Sequence, residues 1–210
     1  PNSSYSYTNA QWQAEIARLT LNNTLRPGDI IEVDARGGLF HNGKFNVNEQ
    51  HDNDPMYNFD ITLISHGSLP DPALITMLDV KNPDGTFKFV QDRQSGAEHY
   101  QSTLVRLDNM SLLDPGDWKP NSMVTITDGT QTLPMLLGLN GFDSIAAPTG
   151  TFDVVGIFDQ DGSDNRGGYY LWATDASQFA SVPEPSSIVL LIGMALCFGA
   201  ARLRKRRFNA

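Results

Sequence analysis

Short segments in which apolar and polar residues alternate are the feature that most constrains the fold of this chain. Residues 103–107 and Met123–Thr127 follow this two-residue period, which places successive side chains on opposite faces of a β-strand. Residues 132–137 continue the pattern beyond Asp128 and Gly129, a pair that is typical of a tight hairpin turn. The sequence therefore predicts an antiparallel hairpin in this part of the chain.

A second pair of predicted strands follows nearer the C-terminus. Residues 152–158 and 169–172 are rich in β-branched and aromatic side chains, and residues 159–168 between them are rich in Asp and Gly. Such a composition indicates a hairpin with a polar loop. Together with the strands described above, this gives five short strands, whose spacing predicts a small β-barrel or β-sandwich.

The N-terminal part of the chain resembles a shortened copy of this pattern. Residues 27–33 place a glycine before a strand, as residues 149–155 do, and residues 37–40 and 44–47 add further strand-like segments. Chance similarity between two hairpins is the alternative explanation. We expect an incomplete first β unit, preceded by one short helix over residues 10–21. Its predicted apolar face consists of Trp12, Ile16 and Leu19, and its predicted N-cap is Asn9.

The charge of the chain is distributed unevenly. Residues before Pro183 carry ten Lys and Arg against 23 Asp and Glu, a net charge of −13 with neutral histidines. A surface that acidic repels phosphate backbones, so nucleic acid is not expected as a partner. The single cysteine is Cys197, so no internal disulfide can stabilise the chain, and a hydrophobic core has to do so.

A polar motif, an apolar segment and a basic tail follow one another at the C-terminus, in residues 182–187, 188–201 and 202–210. The apolar segment would extend roughly 21 Å as a helix, which is less than the roughly 30 Å of a bilayer core. A buried helix of a soluble core is the alternative. The basic residues that follow favour instead a single short membrane helix with its tail in the cytoplasm. These residues are Arg202, Arg204, Lys205, Arg206 and Arg207.

This C-terminal region resembles the sorting signal of the PEP-CTERM family of exported bacterial proteins. Pro183, Glu184 and Pro185 match the motif of that family, and the apolar segment and basic tail follow in the same order. The resemblance implies that exosortase, a membrane cysteine protease, cleaves near the motif and transfers the protein to the cell surface or an extracellular matrix. Exopolysaccharide and envelope components are the partners implied. An export signal is also needed, and we expect it ahead of Pro1.

A second resemblance covers the region of the five predicted strands. Residues 100–107, 127–130, 150–158 and 168–171 are similar, in that order, to OB-like β-barrel modules of secreted bacterial proteins. Such modules often occur in tandem, and residues 68–76 resemble the linker between two of them. The matching residues are turns and core strands, so the resemblance implies a fold and no active site.

Together these features predict three parts of a mainly β protein. Residues 1–95 would form a partial OB-like unit with the N-terminal helix and the linker. Residues 96–181 would form an OB-like or Greek-key barrel. Residues 182–210 would form the sorting signal.

No catalytic motif is recognisable in the sequence. It has no Gly-x-Ser-x-Gly elbow, no His-Glu-x-x-His pair and no phosphate-binding glycine loop, and Cys197 lies within the apolar segment. His66 lies between Ser65 and Gly67, but neighbouring residues on a strand point to opposite faces, so a Ser–His pair is not expected there. We therefore predict a protein that is not an enzyme.

Two acidic segments are candidates for metal binding, and calcium is the only cofactor that the sequence raises. Asp159, Asp161 and Asp164 place carboxylates in one loop, as a calcium site requires, although the glycine and glutamate of an EF-hand are missing. A solvated hairpin tip explains the same residues. The second segment contains Glu49, His51, Asp52 and Asp54, for which a polar loop is the alternative.

Aromatic residues suggest a surface that could stack on a ligand. Tyr170 and Trp172 are two residues apart in one predicted strand and should therefore share a face. Such a face can stack on sugars or bases, although aromatic residues in a small barrel more often belong to the core.

These observations support a non-enzymatic, exported surface or matrix protein with an interaction role. One alternative is a polysaccharide- or nucleic-acid-binding accessory of an extracellular degradative system, with polysaccharide favoured by the negative charge. Another is a calcium-dependent adhesion protein.

Overall fold

The computed structural model is that of a mainly β protein. It describes residues 22, 24–35, 38–47, 59–163 and 166–181, together with Ala10, Ala14 and Ala17. These three alanines are helical, in agreement with the helix predicted over residues 10–21. The other residues of that helix and the predicted sorting signal, residues 182–210, lie outside the described residues. In the described part of the chain, no helix has the length and apolar character needed to cross a bilayer.

From Ile30 to Ser181, the described residues form eleven strands, two four-residue helices and one short 3-10 helix. The helices are Met77–Val80 and Ala97–Tyr100, and the 3-10 helix is Ala176–Gln178. The strands are β1 (Ile30–Ala35), β2 (Gly38–His41), β3 (Lys44–Val47), β4 (Phe59–Ser65), β5 (Ala73–Ile75), β6 (Thr103–Leu112), β7 (Met123–Thr127), β8 (Thr132–Asn140), β9 (Phe152–Gln160), β10 (Tyr169–Asp175) and β11 (Phe179–Ser181).

Five strands close into a barrel. β6 pairs with β7, β7 with β8, β8 with β10, β10 with β9, and β9 pairs again with β6. The β8–β10 pair is parallel, and the other four pairs of this ring are antiparallel. β6 pairs with these two neighbours at different parts of its length: residues from Thr103 to Met110 pair with β9, whereas Ser111 and Leu112 at its end pair with β7. The five strands predicted from the sequence are confirmed, and each begins at the predicted residue.

Alternate side chains of the five strands fill the barrel. On β9, Phe152, Val154 and Phe158 are buried. Val155 and Ile157, which point outward, are half-buried. This alternation is the consequence of the two-residue period of a strand. The other buried apolar residues of the barrel strands are Val105, Leu107, Met110, Val124, Ile126, Leu133, Met135, Leu137, Tyr169, Leu171 and Ala173.

Aromatic rings close one end of the barrel. Phe142, in the connection between β8 and β9, is 1% exposed. Its ring centroid lies 5.6 Å from that of Trp118 and 5.8 Å from that of Phe179. Phe179 also contacts Phe152 at 5.4 Å. We call Trp118, Phe142, Phe152 and Phe179 the aromatic plug. β9 begins at the plug with Phe152 and runs away from it, so the β9–β10 loop lies at the opposite end of the barrel.

Residues 73–95, which the sequence assigned to the first unit, contribute to the barrel core. β5 pairs in parallel with β6, with Ala73 opposite Val105. Met77 and Val80 in the following helix are fully buried in the same core. The segment that resembles a linker, residues 68–76, therefore contains a strand of the barrel's sheet.

The N-terminal unit consists, within the described residues, of two small sheets. β1 pairs with β4, with Val33 opposite Ile61, and β2 pairs with β3, with His41 opposite Lys44. β1, β2 and β3 coincide with the strand-like segments predicted from the sequence. The repeat in the sequence does not extend to their pairing, because β1 pairs with β4 and not with the strand that follows it.

Candidate ligand-binding site

The side chains of β10 alternate between the barrel interior and its outer surface. Tyr169, Leu171 and Ala173 are fully buried, whereas Tyr170 is half-buried and Trp172 is 37% exposed. Tyr170 and Trp172 therefore share the outer face, as the sequence predicted. Core burial, the alternative for the aromatic residues, holds for Tyr169 and for the rings of β9.

Trp172 lies in a row of apolar side chains that runs around the outside of the barrel. It is opposite Leu136 of β8 and Ile157 of β9. Leu136 is in turn opposite Met123 of β7, and Ile157 is opposite Leu104 of β6. Residues that are directly opposite in neighbouring strands project from the same face of a sheet. We call these five residues the Trp172 row; Met123, at 50% exposure, and Trp172 are its most accessible members.

The acidic β9–β10 loop is held by the β2–β3 hairpin. Lys44 Nζ donates a hydrogen bond to Asp159 Oδ2 over 2.8 Å, and Asn42 Nδ2 donates to Asp161 Oδ1 over 2.5 Å. The backbone N–H of Gly162 donates to the carbonyl oxygen of Asn42 over 3.2 Å. These contacts clamp the loop against the tip of the hairpin.

A buried amide completes this clamp. Gln160 is 1% exposed, its Oε1 accepts a hydrogen bond from Gln101 Nε2 over 2.8 Å, and its Nε2 donates to the carbonyl oxygen of Gly167 over 2.9 Å. Gln101 Nε2 also lies 3.0 Å from the carbonyl oxygen of Gly43. Gly43 has a φ of +90°, and a Cβ at this position would overlap the Gln160 side chain. Only glycine therefore fits here.

The environment of Asp159 favours its charged form. Burial acts to raise the pKa of Asp159, but hydrogen bonds from Lys44, the Gln160 N–H and Tyr170 outweigh burial and lower it from its ordinary value of 3.8. Burial and the carboxylate of Asp159 in turn raise the pKa of the Tyr170 hydroxyl, which lies 2.9 Å from Asp159 Oδ2. Tyr170 therefore stays protonated and donates to Asp159 at neutral pH.

The structure brings Asp159 and Asp161 together but gives each a protein donor. Asp164, the third predicted calcium ligand, and the second candidate group of Glu49, His51, Asp52 and Asp54 lie outside the described residues. Across the residues that the structure describes, no cluster of three or more His, Cys, Asp or Glu is arranged to hold a metal ion.

Sequence reasoning missed the partners of the acidic loop. Lys44 and Asn42 are separated from it by more than a hundred residues, and no local pattern connects them. The signal that was available is Asn42-Gly43, a residue pair typical of two-residue hairpin turns. Both residues have positive φ angles, 51° and 90°.

Comparison of this chain with models of known protein families, with curated proteins and with solved structures finds no match in any of the three.

Proposed function

We propose that this chain is an exported, non-enzymatic protein that exosortase sorts to the cell envelope or extracellular matrix, where its barrel binds polysaccharide. The strand pairing carries the proposal. If the ring strands β6 to β10 are numbered 1 to 5, their order around the barrel is 1-2-3-5-4, closing back to 1, with strands 3 and 5 parallel. This arrangement supports an OB-like barrel, the fold class in which the face of strands 2 and 3 binds oligosaccharides and oligonucleotides.

The outer face of the barrel supports a binding role for this protein. Met123 of the Trp172 row belongs to strand 2 and Leu136 to strand 3. Trp172 belongs to strand 5, and its indole lies beside Leu136. An exposed aromatic ring can stack on the apolar face of a pyranose. The net charge of −13 before Pro183 favours polysaccharide over nucleic acid as the ligand, because nucleic-acid binding depends on neutralising phosphates. An accessory to a polysaccharide-degrading system would use the same face.

The sorting part of the proposal is tested by replacing Pro183, Glu184 and Pro185 with alanine. The replaced protein should remain uncleaved in the membrane of a host that has exosortase, whereas the original chain should be shortened and leave the membrane. A matched control replaces Ser186 and Ser187, which directly follow the Pro183, Glu184 and Pro185 triplet, with alanine. Unchanged processing of the triple variant would refute the sorting proposal.

The binding part is tested on a glycan array with the full chain and its Trp172→Ala variant. We expect Trp172→Ala to lose about 10-fold or more in affinity, since a stacked ring contributes about 1–3 kcal/mol. Leu139→Ala is the control, because Leu139 is apolar and 75% exposed but lies outside the Trp172 row. An array without signal, or equal losses in both variants, would refute binding at this face.

A further inference from the structure

A cleft of about 400 Å³ lies at the barrel end opposite the aromatic plug. It is bounded by the β2–β3 hairpin, the segment before the helix Ala97–Tyr100 and the β9–β10 loop, and it does not include the Trp172 row. We call it the arginine cleft. Its lining includes Phe40, Gly43, Phe89, Arg93, Glu98 and Arg166.

A buried carboxylate fixes one wall of the arginine cleft. Glu98 is 6% exposed; one of its oxygens accepts a hydrogen bond from the Tyr169 hydroxyl, and the other accepts from the Val90 N–H over 3.0 Å. The segment between Val90 and Glu98 is thereby tied to the barrel. Gly96 allows the close approach of this segment, because a Cβ there would lie 2.5 Å from the Lys88 carbonyl oxygen.

The same segment presents Arg93 in a defined turn. The Arg93 N–H donates to the Val90 carbonyl oxygen over 3.0 Å, and Arg93 has a φ of 56°. The Arg93 carbonyl oxygen lies 2.9 Å from Nδ1 of His99, which belongs to the same short helix as Glu98. The backbone that carries this guanidinium group is therefore held from both sides before any ligand binds.

Another part of the lining combines an aromatic ring with the second guanidinium group. The guanidinium carbon of Arg166 lies 5.1 Å from the ring centroid of Phe89, a distance typical of a cation–π contact. Phe89 is 38% exposed and Phe40, from the hairpin, is 55% exposed. The hairpin is anchored by the clamp around Gln160, so Phe40 is carried on a fixed element.

The charges of the cleft point to a singly charged ligand. Among the lining residues that the structure describes, two guanidinium groups and one carboxylate carry a formal charge of +1, within a region whose net charge is −13. A guanidinium group binds a carboxylate through two parallel hydrogen bonds. A chain of phosphates would carry its further charges from the cleft onto the surrounding acidic surface, which repels them.

We propose that the arginine cleft binds a sugar that bears one carboxylate, such as a single uronic acid residue within an otherwise neutral polysaccharide. The carboxylate would lie against Arg93 or Arg166, and the apolar face of the pyranose against Phe40 or Phe89. A volume of about 400 Å³ is at the lower end of the range for small-molecule sites and suits one or two sugar rings. This site requires neither the sorting signal nor the Trp172 row.

The test is a calorimetric titration of the full-length chain with the methyl glycoside of galacturonate, which carries one carboxylate, and with the methyl ester of that glycoside, which has the same ring without the negative charge. We expect binding of the acid and at least about 10-fold weaker binding of the ester. Arg93→Gln and Arg166→Gln should each weaken binding of the acid by about 10- to 100-fold, the range for hydrogen bonds to charged groups. Arg166→Lys, which keeps the charge but loses the paired donors, should fall between Arg166→Gln and the original chain.

Two further variants serve as controls. Lys119→Gln removes one positive charge from the β6–β7 loop, near the aromatic plug, and should leave binding unchanged, as should Trp172→Ala. Four results would each overturn the proposal. The acid and the ester could bind equally, or Lys119→Gln could weaken binding as much as Arg166→Gln does. Oligothymidylate could bind as tightly as the acid, or a chain that shows normal thermal unfolding could bind none of these ligands. Loss of acid binding in Trp172→Ala alone would also overturn the proposal but leave the outer face as the polysaccharide site.

Discussion

Replacing Tyr169 with phenylalanine removes one hydrogen bond from the barrel interior and keeps the packing of the ring. Tyr169 is fully buried, and its ring stacks on Phe158 at 5.4 Å and lies 5.1 Å from Phe87. Phenylalanine preserves these contacts, so no cavity forms. What is lost is the hydrogen bond from the hydroxyl to the buried Glu98.

The expected cost follows from the partner that remains. In the variant, the Glu98 oxygen that accepts from the Tyr169 hydroxyl has lost this donor, although Glu98 is only 6% exposed. The other Glu98 oxygen still accepts from the Val90 N–H. A hydrogen bond to a charged group contributes about 1.5–3 kcal/mol. We therefore expect the free energy of unfolding to fall by about 2 kcal/mol. With a urea m-value of about 2 kcal/mol/M, the midpoint would fall by about 1 M.

Tyr170→Phe is the matched control on the adjacent residue. Its hydroxyl also donates to a carboxylate, but it is half-buried, and Asp159 keeps its hydrogen bonds from Lys44 and the Gln160 N–H. We expect a loss of about 0.5–1 kcal/mol, the lower part of the range for a single hydrogen bond. Urea titrations followed by circular dichroism would compare both variants.

A double-mutant cycle with Glu98→Gln isolates the Tyr169–Glu98 interaction, because a neutral amide loses less when the hydroxyl is removed. A coupling energy of about 1 kcal/mol or more is expected. If Tyr169→Phe cost no more than Tyr170→Phe, or if the cycle gave no coupling, the view that this hydrogen bond holds the wall of the arginine cleft would be wrong.

Three further predictions concern the clamp between the hairpin and the acidic loop. Because the pKa of Asp159 is lowered from 3.8, the contribution of Asp159 to stability should be constant down to about pH 5 and be lost as the pH falls through the lowered pKa. Hydrogen exchange of the Lys44 and Gly162 amides across this range would detect the loss. Constant protection of these amides down to pH 2.5 would contradict the prediction. Gly43→Ala should destabilise the protein by more than about 1 kcal/mol, through the strain of a positive φ and the overlap with the Gln160 side chain, whereas Gly129→Ala, with a similar φ of +89° but open space around it, should cost less in the same denaturation assay. Calcium at millimolar concentration should leave the thermal midpoint unchanged, because Asp159 and Asp161 already accept hydrogen bonds from Lys44 and Asn42; a rise of several degrees would support calcium binding instead.

The sequence was sufficient to locate the barrel strands because their signal is local. Residues 103–107 and Met123–Thr127 alternate over most of their length, and the turn at Asp128 and Gly129 fixes the beginning of the next strand. The far ends were underestimated: β6 continues to Leu112 and β8 to Asn140, where pairing with neighbouring strands extends the structure beyond the alternating pattern.

Other elements carry too little local information to be recognised. β5 has three residues, and the helices Met77–Val80 and Ala97–Tyr100 have four each, which is about one helical turn and too short for a periodic pattern. Glu98 is buried within a sequence that reads as a polar loop. Its burial depends on Tyr169, 71 residues further along the chain.

A candidate site was predictable from the sequence only where all of its residues lie in one strand. Tyr170 and Trp172 share a face because they are two residues apart, and that was visible in the sequence. Arg93 and Arg166 come from different loops, and only the closure of the barrel and the docking of the hairpin bring both to one cleft. No pattern within a single segment of the sequence indicates that these two arginines lie close together.

The position of β11 determines how the protein responds to a pulling force. β11 ends at Ser181 and is held to β9 over three residues, whereas the closed ring of β6 to β10 does not include it. Tension applied from the C-terminal side would therefore detach β11 first and withdraw Phe179 from its contacts with Trp118, Phe142 and Phe152. The barrel would keep all five of its pairings, so β11 would come away before any strand of the ring separates.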